Sequence, residues 1–261
     1  MSSLILKCPS KAPQNVGDSL SLPIAQHFFT DDVTVISETQ EVPNLMLVGS
    51  LIHECDIRTH LCGMGLILPH IKCANRPDTV HAVRGPLTRY FLQRQGVLVP
   101  EIYGDPGVLL PEVIPPSDDA PEYAFGLIPH YVDKKRPVVE LLRMQGVHIL
   151  DVFAPVAEFV QELQKCEVLL FSSLHGIILA HAYGRKALWV WMSNDVIGNG
   201  FKFYDYYLSI GVSPEEVPRA NLTEDKQAEK LGQRATVHSH KELKIGLLQA
   251  FKGVKADLLG L

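Results

Sequence analysis

Two histidines lie where apolar segments give way to polar turns. In "EVLLFSSLHGIILAHAYG", His175 follows a short apolar run and two serines, and it opens a stretch with helical spacing. His130 in "LIPHYVD" holds a similar place after another apolar run. A histidine can act as a general acid or base at neutral pH. It can equally be a neutral core residue bonded to a backbone carbonyl, so both interpretations stay open.

Two cations stand beside these segments in ways that suit anion binding. In "AVRGPLTR", Arg84 follows an apolar strand and precedes Gly85-Pro86, which ends the strand and starts a helix. An arginine beside a helix N-terminus favours phosphate or carboxylate. Lys202 lies among the aromatic residues of "NGFKFYDYYLSIG". Those rings could hold a sugar by stacking or could simply pack in the core.

Short glycine turns provide further candidates for binding an anion. "NVGDSLS" puts Asn15, Gly17 and Asp18 ahead of a helix-like segment, whose N-terminus would offer free backbone N–H groups. Asp18 or Ser19 could instead merely cap that helix. Ser50 in "LVGSLI" follows a glycine turn that matches neither GxGxxG nor the P-loop spacing. The Asp105-Pro106 turn of "IYGDPGVLL" is interpreted as structural.

The elements that must position these residues alternate between short apolar strands and helix-like stretches. This βαβα pattern predicts an α/β fold of mainly parallel sheets with helices on both faces, where ligands bind at the carboxyl ends of strands. The stretch "PEIYGDPGVLLP" is expected to be one such strand. A proline-rich acidic linker at 111–123 predicts two Rossmann-like halves, 1–115 and 120–240.

A helix is expected to close the chain over 241–261. Its apolar stripe comprises Leu243, Leu247, Phe251, Val254 and Leu258, with lysines between them. The stripe can pack on the protein, or it can touch an anionic membrane surface as an interfacial helix.

The overall composition narrows the class of protein. A hydrophobic fraction of 46% and a charged fraction of 20% are typical of a globular chain. The net charge of −5 argues against a general nucleic-acid binder. Five cysteines without a CxxC pair predict free thiols in a reducing compartment. No signal peptide or apolar run long enough to span a membrane is visible, so a cytoplasmic location is expected.

The motifs taken together resemble the polysaccharide pyruvyltransferase family, specifically its bacterial exopolysaccharide ketal-pyruvate transferases. The similarity extends from about residue 15 to 211, in the family's order. The matching stretches are "NVGDSLS", "VGS", "GMG", "VRGPLTRYFL", "YGDPGVLLP", "IPHYVD", "SSLHGIILAHAYG" and "FKFYDYYLSIG".

This resemblance implies a GT-B-like fold in which two Rossmann-like domains face each other across a cleft. It implies transfer of pyruvate from phosphoenolpyruvate to a terminal hexose as a cyclic ketal, commonly across O4 and O6. The acceptor would be an exopolysaccharide repeat unit on a polyprenyl diphosphate carrier at the inner membrane face, which allows peripheral membrane contact. No metal or organic cofactor is implied.

The chemistry then suggests a role for each candidate residue. His175 is the expected acid or base, and Asp18 a base or hydroxyl-orienting group. One branch of the family has an arginine immediately before Leu-His-Gly. Ser173 stands there in this chain, which shifts the expected phosphate contacts towards Arg84 and Lys202. The expected substrate-binding residues are Arg84, His130, Lys202, Ser173, Gly176, Asn15, Gly17 and Ser50.

Two other functions stay open at this point. A glycosyltransferase of the same fold would use a nucleotide sugar in place of phosphoenolpyruvate. A catalytically inactive sugar-binding subunit of a synthesis complex would bind a sugar without releasing phosphate.

Overall fold

The computed structural model describes residues 3–9, 14–222, 224 and 226–261, and within them two sheets of five parallel strands each. The first sheet has the order β2-β1-β3-β4-β5 and the second β10-β9-β8-β6-β7. The first sheet comprises β1 (Leu4–Lys7), β2 (Val33–Ile36), β3 (Asn44–Met46), β4 (Thr59–Cys62) and β5 (Thr79–Ala82). The second comprises β6 (Tyr123–Ile128), β7 (His148–Ile149), β8 (Cys166–Phe171), β9 (Lys186–Trp191) and β10 (Arg219–Asn221).

Helices connect most of these strands. They are α1 (Val16–Ser19), α2 (Ser21–Phe28), α3 (Pro86–Gln93), α4 (Leu110–Val113), α5 (Pro137–Met144), α6 (Val156–Gln164), α7 (Leu174–Ala182), α8 (Phe201–Ser209), α9 (Ala228–Gly232) and α10 (Lys241–Leu259). Two 3₁₀ helices cover Ile52–Glu54 and Pro106–Leu109. The predicted α/β class with parallel sheets is therefore confirmed. Cys8, Cys55, Cys62, Cys73 and Cys166 are all free thiols, as expected.

One predicted strand is wrong. The stretch "PEIYGDPGVLLP" makes only an isolated bridge between Tyr103 and Val83, and then forms the 3₁₀ helix Pro106–Leu109 and α4. Asp105 starts that 3₁₀ helix, since its Oδ1 accepts a hydrogen bond of 2.9 Å from the Gly107 N–H. Pro106 at the first helical position has no N–H to give to a strand ladder. The apolar run that follows is a fully buried helical segment, which periodicity alone does not distinguish from a buried strand.

A single apolar cluster joins the two sheets. It includes Leu6 of β1 together with Ile128 of β6 and Phe171 of β8. Helix α7 packs against the 3₁₀ helix Pro106–Leu109, so the connection after the first sheet is buried against a helix of the second half. The two halves of the chain therefore share part of their core.

The apolar stripe of α10 packs on the protein. Leu243, Leu247, Phe251 and Val254 are buried, Leu258 packs against the same core, and α10 contacts β4 and β5 of the first sheet. The stripe is therefore covered by the protein's own apolar surface. Within the described residues, no helix has both the length and the apolarity needed to cross a membrane.

A buried ion pair ties α8, in the second half, to the start of α3. Arg84 and Asp205 are both fully buried, with Arg84 Nε 3.0 Å from Asp205 Oδ2. Thr88 adds two bonds to the carboxylate, from its N–H at 2.9 Å and its hydroxyl at 2.6 Å. The arginine also donates to the Leu66 carbonyl at 2.7 Å. A buried carboxylate and guanidinium are tolerated only when their hydrogen-bonding groups are satisfied in this way.

Two glycines leave room for this pair. A Cβ on Gly65 would lie 2.1 Å from Arg84 Cζ, and one on Gly85 would lie 2.0 Å from the Asp205 carbonyl oxygen. Both distances are far below van der Waals contact, so neither position accepts a side chain without moving the pair.

Asp205→Asn is expected to lower the free energy of unfolding by about 3–5 kcal/mol, because it leaves the Arg84 charge buried without its counterion. Glu101→Gln is a matched control, since Glu101 is exposed and lies 3.9 Å from Arg89. This control variant should lose less than about 1 kcal/mol of unfolding free energy. Denaturant unfolding of both variants measures the difference, and equal stabilities would contradict this account of the pair.

Candidate functional site

A cavity of about 580 Å³ lies at the carboxyl ends of strands from both sheets. Asn15 and Ser50 line it from segments that follow β1 and β3, and His130 and Ser173 from segments that follow β6 and β8. Lys202 enters from α8. A cavity of this size holds a small-molecule ligand. The other lining residues are Pro9, Asp18, Leu51, Glu54, Ile67, Tyr131, Val152, Phe153, Leu174 and His175.

Most of the residues singled out in the sequence meet in this cavity, but three do not line it. Arg84, Gly17 and Gly176 lie outside its lining. The lining residues among the expected set are Asn15, Asp18, Ser50, His130, Ser173, His175 and Lys202.

Arg84 occupies a different place from the one expected. It is fully buried, and its guanidinium is held by Asp205, Leu66 and Ser50. Nη1 donates to Ser50 Oγ at 2.7 Å, and Ser50 in turn lines the cavity. Direct contact with a bound anion, as expected from the sequence, does not fit this burial. Arg84 instead positions Ser50 from behind the cavity wall.

His175 faces a carboxylate that the sequence interpretation treated as structural. His175 Nε2 lies 3.6 Å from Asp105 Oδ2, and neither buried atom has a hydrogen-bond partner among the described residues. Asp105 is fully buried, and its other oxygen is used by Gly107. Unpartnered buried polar atoms are costly, so this pair is poised to form one hydrogen bond after a small movement. With Nε2 turned to Asp105, Nδ1 is the ring nitrogen left for chemistry.

Gly17 and Gly176 serve packing around this histidine. A Cβ on Gly17 would lie 1.8 Å from His175 Nδ1, so only glycine lets α1 approach the ring. A Cβ on Gly176 would meet Ile128 and Phe171 at 3.1 Å, which places this glycine between α7 and the second sheet. Gly17 therefore permits the close packing of α1 on His175, and Gly176 that of α7 on the second sheet; neither lines the cavity.

The cap of α1 is Asn15, neither Asp18 nor Ser19. Asn15 Oδ1 accepts from the N–H groups of Gly17 at 2.9 Å and Asp18 at 3.4 Å. Its Nδ2 donates to Asp18 Oδ2 at 2.7 Å. The capping residue thus also orients the Asp18 carboxylate, which lines the cavity with His175.

Lys202 and the start of α7 make one part of the cavity favourable for an anion. Lys202 is 8% exposed, and burial, together with the nearby Arg84 charge, lowers its pKa to about 8. Ser173 is the N-cap of α7, yet its side chain makes no capping bond to the helix. Helix N-termini carry partial positive charge and free N–H groups. Both features favour a bound phosphate or carboxylate.

His130 is held as a neutral hydrogen-bonding residue. Burial, reinforced by the Lys202 charge, lowers its pKa to about 3. Its Nδ1 accepts from the Val132 N–H at 3.4 Å, which leaves Nε2 as the protonated nitrogen. The buried Asp133 carboxylate steadies this loop by accepting from Ser172 at 2.9 Å and Ser193 at 2.6 Å. Ser172 also accepts from the His130 N–H at 2.8 Å.

The aromatic run of α8 belongs to the core. Phe203 is buried and stacks on Trp189 with ring centroids 4.4 Å apart. Exposed aromatic surface in the cavity lining comes instead from Tyr131 and Phe153, whose centroids lie 6.2 Å apart. The sequence interpretation missed these two rings as well as Asp105 and Glu54. The "IPHYVD" and "YGDPG" motifs contain Tyr131 and Asp105, but their residue types alone favoured ordinary turns.

Anion binding in the cavity is expected to weaken as pH rises through about 8, because Lys202 loses its charge. Sulfate is a suitable probe, since its own charge is constant over this range. Between pH 7 and 9.5 its affinity should fall about tenfold or more. Lys202→Met should bind weakly at both pH values and Lys202→Arg should bind at both, as measured by calorimetry. A constant affinity in the unaltered protein would exclude Lys202 as the anion's partner.

Comparison with known proteins identifies a family and a relative. Residues 68–194, which include Arg84, Asp105, His130 and His175, match the family described as polysaccharide pyruvyl transferase. The uncharacterized protein L143 of Acanthamoeba polyphaga mimivirus is 31% identical, over 77% of this chain and 73% of the viral protein. The chain belongs to the polysaccharide pyruvyl transferase family.

Proposed function

We propose that this protein transfers pyruvate from phosphoenolpyruvate to a terminal hexose of an exopolysaccharide repeat unit, forming a 4,6-type cyclic ketal. The observation that carries the proposal is the meeting, in one cavity, of a cationic end at Lys202 and α7 with His175, which the buried Asp105 faces from behind. Phosphoenolpyruvate has the matching chemistry, because its phosphate and carboxylate flank the carbon that must be protonated.

The reaction divides into two additions to the same carbon. Protonation of the donor's methylene carbon gives an oxocarbenium-like centre, which the first sugar hydroxyl attacks. The bond between that carbon and the phosphate oxygen then breaks, and the second hydroxyl closes the ketal ring. The two hydroxyl protons end on the new methyl group and on the released phosphate, so no other reactant is required.

In this proposal His175 transfers the protons. A hydrogen bond from Nε2 to Asp105 leaves Nδ1 as a base and stabilises the imidazolium once it forms, as carboxylates do for catalytic histidines. Lys202 and the N-terminus of α7 bind the donor's anionic groups and stabilise the departing phosphate. Asp18, oriented by Asn15, is the proposed base or orienting group for an acceptor hydroxyl.

The acceptor would enter along the exposed rings of Tyr131 and Phe153, which offer the flat apolar surface that sugars stack on. The proposal includes a polyprenyl diphosphate carrier for the acceptor, which would bring the protein to the membrane surface. It also includes a GT-B-like relation between the two halves. No metal or cofactor is part of the proposed chemistry.

The deciding experiment mixes the purified protein with phosphoenolpyruvate and a panel of hexose-terminated acceptors. Phosphate release that depends on the acceptor, with an acceptor mass gain equal to pyruvate less water, is the expected result. If phosphoenolpyruvate does not bind and a sugar nucleotide does, the proposal fails in favour of glycosyl transfer.

His175→Ala is expected to reduce kcat by about 10²–10⁴-fold, because a positioned acid or base contributes that much to the rate. His27→Ala is the matched control, since His27 is exposed on α2 and should leave turnover unchanged. Near-normal turnover in a folded His175→Ala protein would remove His175 from the mechanism.

Asp105→Asn is expected to reduce kcat by about 10²-fold or more while leaving the fold intact. The asparagine keeps an oxygen for the Gly107 N–H but removes the charge that stabilises the His175 imidazolium. KM for phosphoenolpyruvate should change little, because Asp105 is fully buried. A rise in KM at unchanged kcat would contradict this role.

A further inference from the structure

A second cluster of chemically active side chains lies outside the cavity, under α10. His60 of β4 and His81 of β5 are both more than 90% buried on neighbouring strands. Asp257 of α10 stands over them with a partly exposed carboxylate. The residues come from three separate elements and do not line the cavity described above.

The three ligand atoms have the spacing of a metal site. His60 Nδ1 and His81 Nε2 are 3.1 Å apart, and Asp257 Oδ2 lies 3.9 Å and 3.7 Å from them. The point equidistant from the three atoms is about 2.1 Å from each, by the circumscribed radius of that triangle. Zinc–nitrogen and zinc–oxygen bonds in proteins are roughly 2.0–2.2 Å long. The three atoms are therefore spaced as ligands of one ion are.

The surroundings of His60 favour a lone pair on Nδ1. Its Nε2 lies 3.4 Å from Asp78 Oδ2, so the ring proton belongs on that nitrogen and Nδ1 is free to coordinate. A histidine ligand whose other nitrogen is turned to a carboxylate is the usual arrangement in metal sites.

The helix is adapted to come close to the two rings. A Cβ on Gly253 would lie 3.0 Å from His81 Nδ1, tighter than almost all real contacts. Gly253 precedes Asp257 by four residues, one helical turn, so both fall on the same face of α10. The turn that approaches the rings therefore also supplies the carboxylate.

We propose that His60, His81 and Asp257 bind a divalent transition-metal ion of the Zn²⁺ class, with water completing its coordination shell. Two imidazoles and one carboxylate favour zinc, nickel or copper over calcium or magnesium, which prefer oxygen ligands. The metal would fasten α10 to β4 and β5. It would not take part in the reaction in the cavity, so the proposal stands apart from the proposed function.

The test titrates Zn²⁺ into full-length protein that has been freed of metal with a chelator and dialysed. Calorimetry should give one equivalent bound, and Zn²⁺ at about 100 times its Kd should raise Tm by roughly 5–10 °C. Co²⁺ in place of zinc should give visible absorption bands of a four-coordinate site.

Asp257→Asn is the decisive variant, because its exposed side chain can be changed without disturbing the core. It should weaken Zn²⁺ binding at least tenfold, and His81→Gln should abolish the single equivalent. His238→Gln is the matched control, since His238 belongs to a separate histidine cluster with His181 and should bind as the unaltered protein does. Absence of stoichiometric binding would mean that His60 and His81 are only a hydrogen-bonded pair. Equal affinity in Asp257→Asn would exclude Asp257 as a ligand and overturn the three-residue site.

Discussion

The buried ion pair between Arg84 and Asp205 is the constraint on which the cavity depends. Its partners are 121 residues apart in the chain, and the pair joins the strand-to-helix turn of one half to a helix of the other. Two charges withdrawn from water hold each other only in a narrow geometry, because any opening leaves both poorly solvated. Lys202 lies about one helical turn before Asp205 on α8. The ion pair therefore also fixes the position of the Lys202 side chain in the cavity. Ser50 accepts a hydrogen bond from the same guanidinium, so the ion pair fixes its position too.

The site contains buried polar groups that are fully hydrogen-bonded and others that have no hydrogen-bond partner among the described residues. Asp133 accepts from two serines and holds the loops after β6, β8 and β9 rigid. Asp105 and His175, only a few ångströms apart, are left with facing atoms that have no partner among the described residues. Because the surrounding loops are held by these hydrogen bonds, His175 and Asp105 need only a short movement to form a hydrogen bond with each other. In the proposed reaction, this hydrogen bond would form as His175 takes up a proton.

The sequence predicted those features that depend on residues close together in the chain. Alternating apolar runs and helical stretches predicted parallel sheets, and polar residues after those runs predicted the cavity lining at His130, Ser173 and His175. It did not predict features that depend on contacts between residues far apart in the chain. Arg84 has the residue type and local setting of an anion-binding arginine, but its guanidinium is buried among Asp205, Ser50 and Leu66, which are distant in the chain. Asp105 in an Asp-Pro turn is indistinguishable from a capping residue until His175 is seen opposite it. The four residues of β4 are too few to show a period at all.

The packing of α10 against the first sheet affects how the chain folds during translation. The side chains that cover β4 and β5, among them Leu247, Phe251 and Val254, belong to residues synthesised more than 150 positions after those strands. The first half therefore leaves the ribosome with an apolar face that nothing yet covers, while the second half is still being translated. Such faces attract chaperones and aggregate readily. The first half is therefore expected to gain the contribution of α10 to its stability only after that helix has been translated.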